Sequence, residues 1–186
     1  MTKPLTSVAA MMLYEEGRFQ LDDPITRFLP CFRDMRVFAG GNRFRPETVP
    51  AERDITVRDL LTHTAGFGYD FFNEKYKRLA EEHGQPSVAT ASRAALRTPL
   101  LFDPGTQWEY GSNIDWAGQV IEGITGRRLG EVFRDRILTP LGMTNTSFTL
   151  DGDMESRVAT MHQRGADGTL EPTDFRLPDP EVHMGG

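Results

Sequence analysis

Tyr110 sits in the stretch of this chain whose residue types and spacing best suit chemistry, Asp103-Pro104-Gly105-Thr106-Gln107-Trp108-Glu109-Tyr110-Gly111-Ser112-Asn113. Proline presets one φ and glycine supplies a positive one, so Pro104-Gly105 predicts a turn. Trp108 and Tyr110 alternate with Gln107 and Glu109, which suits a short extended segment, and Gly111-Ser112-Asn113 breaks the alternation ahead of a helix. A phenol on such a corner, beside small polar groups, is placed to handle a proton in a cleft. The same residues also suit a half-buried tyrosine that only anchors a turn. His63, in Thr62-His63-Thr64-Ala65-Gly66, has a catalytic reading and a plainer one as a loop histidine hydrogen-bonded to backbone.

Composition removes several other chemistries. The chain has 186 residues, 38% hydrophobic and 26% charged, enough for one domain with a core or for part of a larger one. A net charge of −6 and the lack of a Lys/Arg stripe argue against a nucleic-acid partner. No apolar segment approaches the roughly 18 residues that a membrane span needs. The single cysteine, Cys31, excludes an internal disulfide and a cysteine-built zinc site, and reads as a plain apolar thiol. The four histidines form no HxxxH pair, so no metal is indicated.

The elements that must position these residues are mainly helical. Leu5, Val8, Ala9, Met12 and Leu13 form one apolar stripe that ends at Gly17, and the helix starts with no capping residue ahead of it. Asp22-Asp23-Pro24 reads as the N-cap and first position of a short helix ending near Leu29-Pro30. A strand is expected around Met35 to Phe38, followed by a Gly-, Arg- and Pro-rich loop. Thr56 and Asp59 are spaced as a capping box for the next helix. Further helices are expected over Asn73 to His83 and Ser92 to Arg97. Two more follow the Tyr110 corner, one on Ile114, Ala117, Val120, Ile121 and Ile124, and one on Leu129, Val132, Phe133 and Ile137. Asp167-Gly168 between Ser156–Gln163 and Leu170–Thr173 predicts a hairpin.

Four segments together resemble one family. They are Met1-Thr2-Lys3-Pro4-Leu5-Thr6, Ile55 through Gly66, Pro104-Gly105 through Asn113, and Pro140-Leu141-Gly142-Met143-Thr144-Asn145-Thr146. In order and spacing they are similar to the beta-lactamase-related serine hydrolases: class C beta-lactamases, D-Ala-D-Ala carboxypeptidases and the esterases of the same fold. The resemblance implies an α/β fold of which this chain carries mainly the helical lobe, with few strands. It implies no cofactor, a small-molecule ester or amide substrate, and hydrolysis through an acyl-serine whose proton is managed by a lysine and a tyrosine. Lys3 matches the lysine and Tyr110 the tyrosine of a Tyr-x-Asn motif. Ser112 falls where that asparagine stands, with Asn113 one place late, so both are expected at the substrate. The shifted asparagine tilts the expectation from penicillin hydrolysis towards an esterase.

In the family a serine stands three residues before the lysine, on the same helical face. Here that position precedes Met1, and no Lys-Thr-Gly-like or His-x-Gly strand follows Gly185-Gly186. Residues 1–186 are therefore expected to be one partial domain, truncated at both ends and inactive as written. Ser7, four residues after Lys3, is a weaker alternative nucleophile because it lies inside the helix rather than at its N-terminus. The competing reading is a non-catalytic interaction module whose uncovered helix faces bind a partner. A cytoplasmic location follows if Met1 is the true start, and a cytoplasmic or periplasmic one otherwise.

Overall fold

The computed structural model describes residues 1–42 and 45–186. Its centre is a pair of helices, α1 (Lys3–Glu15) and α5 (Asn113–Thr125), packed on each other. α1 turns Thr6, Ala9, Ala10 and Leu13 inward, where two alanines allow close approach. Val8, expected in the core stripe, is instead half exposed with Met11 on the outer face. The stripe is displaced because the close-packed face runs through the small residues Thr6, Ala9 and Ala10 to Leu13. α5 is buried on all sides over Asn113 to Ile121, and Gly126 closes it in the left-handed conformation. Around this pair Phe19, Ile25, Leu60, Phe67, Leu129 and Phe133 complete the core.

Where local chemistry is strong, the expected elements are present. Thr56 accepts from the Asp59 N–H, and Asp59 accepts in return from the Thr56 N–H at 2.9 Å, so the capping box closes α2 (Val57–Leu61). Arg53 adds a bidentate pair to Asp59 at 2.8 and 2.9 Å. Burial pushes the Asp59 carboxyl up, but the Arg53 and Thr56 hydrogen bonds outweigh it and hold the group below the ordinary carboxylate range. Asn73 caps α3 (Glu74–His83) and Ser92 caps α4 (Arg93–Leu96). α6 (Leu129–Phe133) runs on as a π-helical turn to Leu138, and a short α7 (Gly152–Glu155), not foreseen, is capped by Asp151.

Other expectations need correction. Asp22-Asp23-Pro24 opens only a 3₁₀ turn, Ile25–Arg27, since extended Pro24 forms a bridge to Thr56 instead of entering a helix. The expected loop after Phe38 contains a second strand. β1 (Arg36–Asn42) pairs antiparallel with β2 (Arg45–Pro50), and Arg43 and Phe44 of that expected loop lie outside the described residues. β2 carries two prolines, Pro46 and Pro50, which are a poor local signal for a strand. The Asp167-Gly168 hairpin is present as β3 (Met161–Arg164) and β4 (Leu170–Thr173). Cys31 is exposed rather than packed.

Tyr110 is positioned by a ladder between two loops. The N–H groups of Leu101, Gly105 and Glu109 donate to the carbonyls of Gly66, Thr64 and His63 at 2.8, 2.8 and 3.0 Å. At the end of this ladder Gly111 lies so close to the next loop that a Cβ there would sit 2.3 Å from the Phe67 carbonyl oxygen and 2.4 Å from the Gly68 Cα. Gly111→Ala should therefore cost about 1–3 kcal/mol or more in urea denaturation, because backbone must move on one side or the other. Gly152→Ala meets open space and should leave stability unchanged or raise it.

Candidate active site

Lys3 begins α1, and its Nζ lies over two aromatic faces, 4.9 Å from the centroid of Tyr110 and 5.8 Å from that of Tyr69. Contacts of this kind hold an ammonium by the negative face of the ring. Tyr110 is about one-third exposed and its ring is also approached by His63 at 5.1 Å, Tyr69 at 5.5 Å and Phe72 at 6.1 Å, centroid to centroid. α1 and the loop ladder, far apart in sequence, thus bring Lys3 and Tyr110 to one place.

Both residues face a cleft of about 640 Å³. Its walls are largely apolar and include Phe71, Phe72, Leu177, Pro178 and Met184. Asp115 forms part of its floor and is almost wholly buried. The Tyr69 hydroxyl donates to Asp115 Oδ2 at 3.0 Å, and the Gly186 N–H donates to Oδ1 at 2.7 Å. Burial pushes the Asp115 carboxyl above its ordinary range, against those two hydrogen bonds and the charge of Lys3. Burial likewise raises the Tyr69 phenol, reinforced by the neighbouring carboxylate.

The expected substrate contacts are placed differently. Ser112 and Asn113 are both buried, and neither lines the cleft. Helix α5 starts at Asn113, so its first turn directs these two side chains into the protein. Ser7 lies in the second turn of α1 and does not line the cleft either. His63 has backbone partners as expected of a loop residue, yet its ring nitrogen meets a side chain, Asn113 Nδ2, at 3.1 Å. Burial, then the charge of Lys3, pushes its imidazole below the ordinary histidine value. Tyr69 and Asp115 belong to none of the motifs in the sequence. An acid inside the apolar pattern of α5 was the available clue to a buried carboxylate.

A lysine in the first turn of a central helix, packed on a tyrosine at the mouth of an apolar cleft, defines a class: the helical part of the serine beta-lactamase and penicillin-binding-protein fold. The family description "Beta-lactamase" matches residues 1–185, and the chain belongs to that family. It is 36% identical over 193 residues to the monacolin J acid methylbutanoyltransferase of Aspergillus terreus, covering all of this chain and 46% of that protein. A mutant of simvastatin synthase from Aspergillus terreus superposes with a TM-score of 0.89 at 35% identity, over 99% of this chain and 46% of that one. EstCE1, a hydrolase with promiscuous acyltransferase activity, superposes at 0.71 with 30% identity, over 98% of this chain and 47% of that one. The chain thus spans about half the length of these relatives.

The sign of the Asp115 shift gives a stability test. A carboxyl whose folded value is raised keeps its proton to higher pH in the folded than in the unfolded chain. Its contribution is therefore complete below about pH 4 and is lost as pH rises through the folded value. Asp115→Asn retains an acceptor for the Gly186 N–H, and should flatten this fall between about pH 4 and neutrality. Thermal melts of both proteins across that range check it, and parallel profiles would mean that Asp115 ionises as an ordinary carboxyl.

Proposed function

We propose that the cleft is the acyl-transfer site of a serine hydrolase or acyltransferase that works through an acyl-serine intermediate. The observation that carries this reading is the Lys3 ammonium held 4.9 Å over the Tyr110 ring, at the start of a helix and facing an apolar cleft. In this reading the nucleophile is a serine three residues before Lys3, immediately ahead of Met1. Its Oγ bonds to the carbonyl carbon of an ester or amide while its proton passes to the Lys3–Tyr110 pair. That pair returns a proton to the departing alcohol or amine as the original acyl bond breaks. A water or an alcohol then attacks the acyl-serine, its proton taking the same route, and the serine is restored. The choice between water and alcohol is supported on both sides, since one relative is named a transferase and another a hydrolase. The apolar walls favour a substrate with a bulky apolar acyl or alcohol part. Residues 1–186 then act as one partial domain of the working enzyme.

A second reading, a non-catalytic interaction module, has one observation in its favour: Val8 and Met11 expose an apolar strip on the outer face of α1.

Hydrolysis of p-nitrophenyl acetate and nitrocefin separates the two. The comparison sets the 186-residue chain beside a longer version with serine before Met1 and the segments its relatives have beyond both ends. The longer version should hydrolyse the acetate, with Tyr110→Phe lowering kcat by about 10²-fold or more, while the shorter one stays at the buffer rate. Hydrolysis by the shorter chain that disappears with Tyr110→Phe would mean another nucleophile, with Ser7 the first to mutate. Silence from both would leave the interaction module.

A further inference from the structure

Asn113 is fully buried, yet its amide nitrogen has three acceptors around it. Nδ2 lies 3.2 Å from the Phe67 carbonyl oxygen, 3.2 Å from the Glu109 carbonyl oxygen and 3.1 Å from Nδ1 of His63. Turning the amide over would set Oδ1 against two carbonyl oxygens, so the surroundings fix nitrogen in that position. The amide has two N–H groups for these three neighbours, and a proton on Nδ1 would point at the amide nitrogen 3.1 Å away, so the contact favours the neutral imidazole with its proton on Nε2. Burial and the Lys3 charge act on His63 in the same direction, towards neutrality.

Each of these contacts bears on Tyr110. The Glu109 peptide is gripped from both sides: its N–H donates to the His63 carbonyl at 3.0 Å and its carbonyl accepts from Asn113. The next residue is Tyr110. The His63 ring stands against Tyr110 at 5.1 Å and Trp108 at 6.2 Å, with a tilt of 39° to the tyrosine. His63 also holds a positive φ of 59°, a conformation that is unfavourable for a residue with a Cβ. Strain of this kind persists where the surroundings fix it, and here they set the imidazole against the phenol.

We propose that Asn113 and His63 are a pair of positioning residues for Tyr110, and that Asn113 is not a substrate contact. Asn113 locks the peptide ahead of the tyrosine and the tautomer of the histidine, and the histidine ring holds the tyrosine ring towards Lys3. The inference rests on the reading of Tyr110 as the proton-handling group only in its catalytic consequence. The locked pair itself is a property of the folded chain.

The first measurement needs no functional reading. Imidazole nitrogen NMR on the 15N-histidine-labelled 186-residue chain at neutral pH reports which nitrogen of each ring carries the proton. The His63 signal is assigned by its loss in His63→Asn, a residue type that tolerates positive φ. His63 should show a single Nε2–H tautomer, while exposed His83 averages over both. A proton on Nδ1, or an averaged His63, overturns the proposal. In Asn113→Ala the His63 tautomer should become averaged and the Tyr110 ring signals should move towards their unstructured positions. An unchanged tautomer there also overturns it.

Kinetics in the longer, serine-containing version form the second arm. Asn113→Ala should lower kcat by about 10- to 100-fold with KM held, as a displaced catalytic group does. A raised KM with kcat intact would make Asn113 a substrate contact and overturn the proposal. If that longer version is inactive, the acyl-transfer reading fails while the tautomer measurement still decides the pair.

Discussion

The contact between Gly111 and the backbone of Phe67–Gly68 constrains everything around the cleft. Two chain segments, 63–68 and 100–111, lie so close there that no Cβ fits between them. Close approach of backbone to backbone is a use of glycine that no other residue replaces. It allows the ladder from Gly66 and Thr64 to His63 to continue up to Glu109, and so fixes Tyr110 where that ladder ends. The ladder also closes over Leu60, Phe67 and Leu100, all fully buried, so the geometry of the tyrosine is tied to the core. A site on loops gains precision when the loops are held to each other this tightly.

Helix α1 supplies the other half of the geometry. Its inward face is built from Thr6, Ala9, Ala10 and Leu13, and the first three, being small, let it lie against α5. Thr6 Oγ1 also donates to the Gly185 carbonyl at 2.7 Å, which draws the segment ending at Gly186 into the seam between the two helices. Gly186 in turn donates to Asp115, whose other oxygen accepts from Tyr69. The Lys3 ammonium over the Tyr69 ring and the Asp115 carboxyl at its hydroxyl thereby meet at one tyrosine. In an apolar surrounding such charges act more strongly than they do in water. The arrangement suits proton transfer near Lys3, the chemistry proposed for this cleft.

Much of the frame was legible in the chain because its signals are local. Thr56 with Asp59, Asn73, Ser92, Gly84, Gly126 and the Asp167-Gly168 turn each act on backbone within a few residues, and each stands where its chemistry implies. The resemblance to the serine hydrolases also lay in short segments, and family and fold followed from them. Strand β2 was not legible, since its pairing with β1 outweighs the poor strand propensity of Pro46 and Pro50.

The sequence by itself determined the caps, the stops, the helical character and the family, because those depend on neighbours along the chain. Tertiary structure decided which face of α1 is inside, and it left Val8 out and took Ala10 in, since fit against α5 rather than hydropathy selects the face. It also turned Asn113 inward to His63, Phe67 and Glu109, and set Asp115 beneath Tyr69. Their partners lie up to 71 residues away along the chain, as between Asp115 and Gly186. Hydrogen bonds over such separations are set by the packing of α1 and α5 and by the loop ladder, so no local pattern announces them.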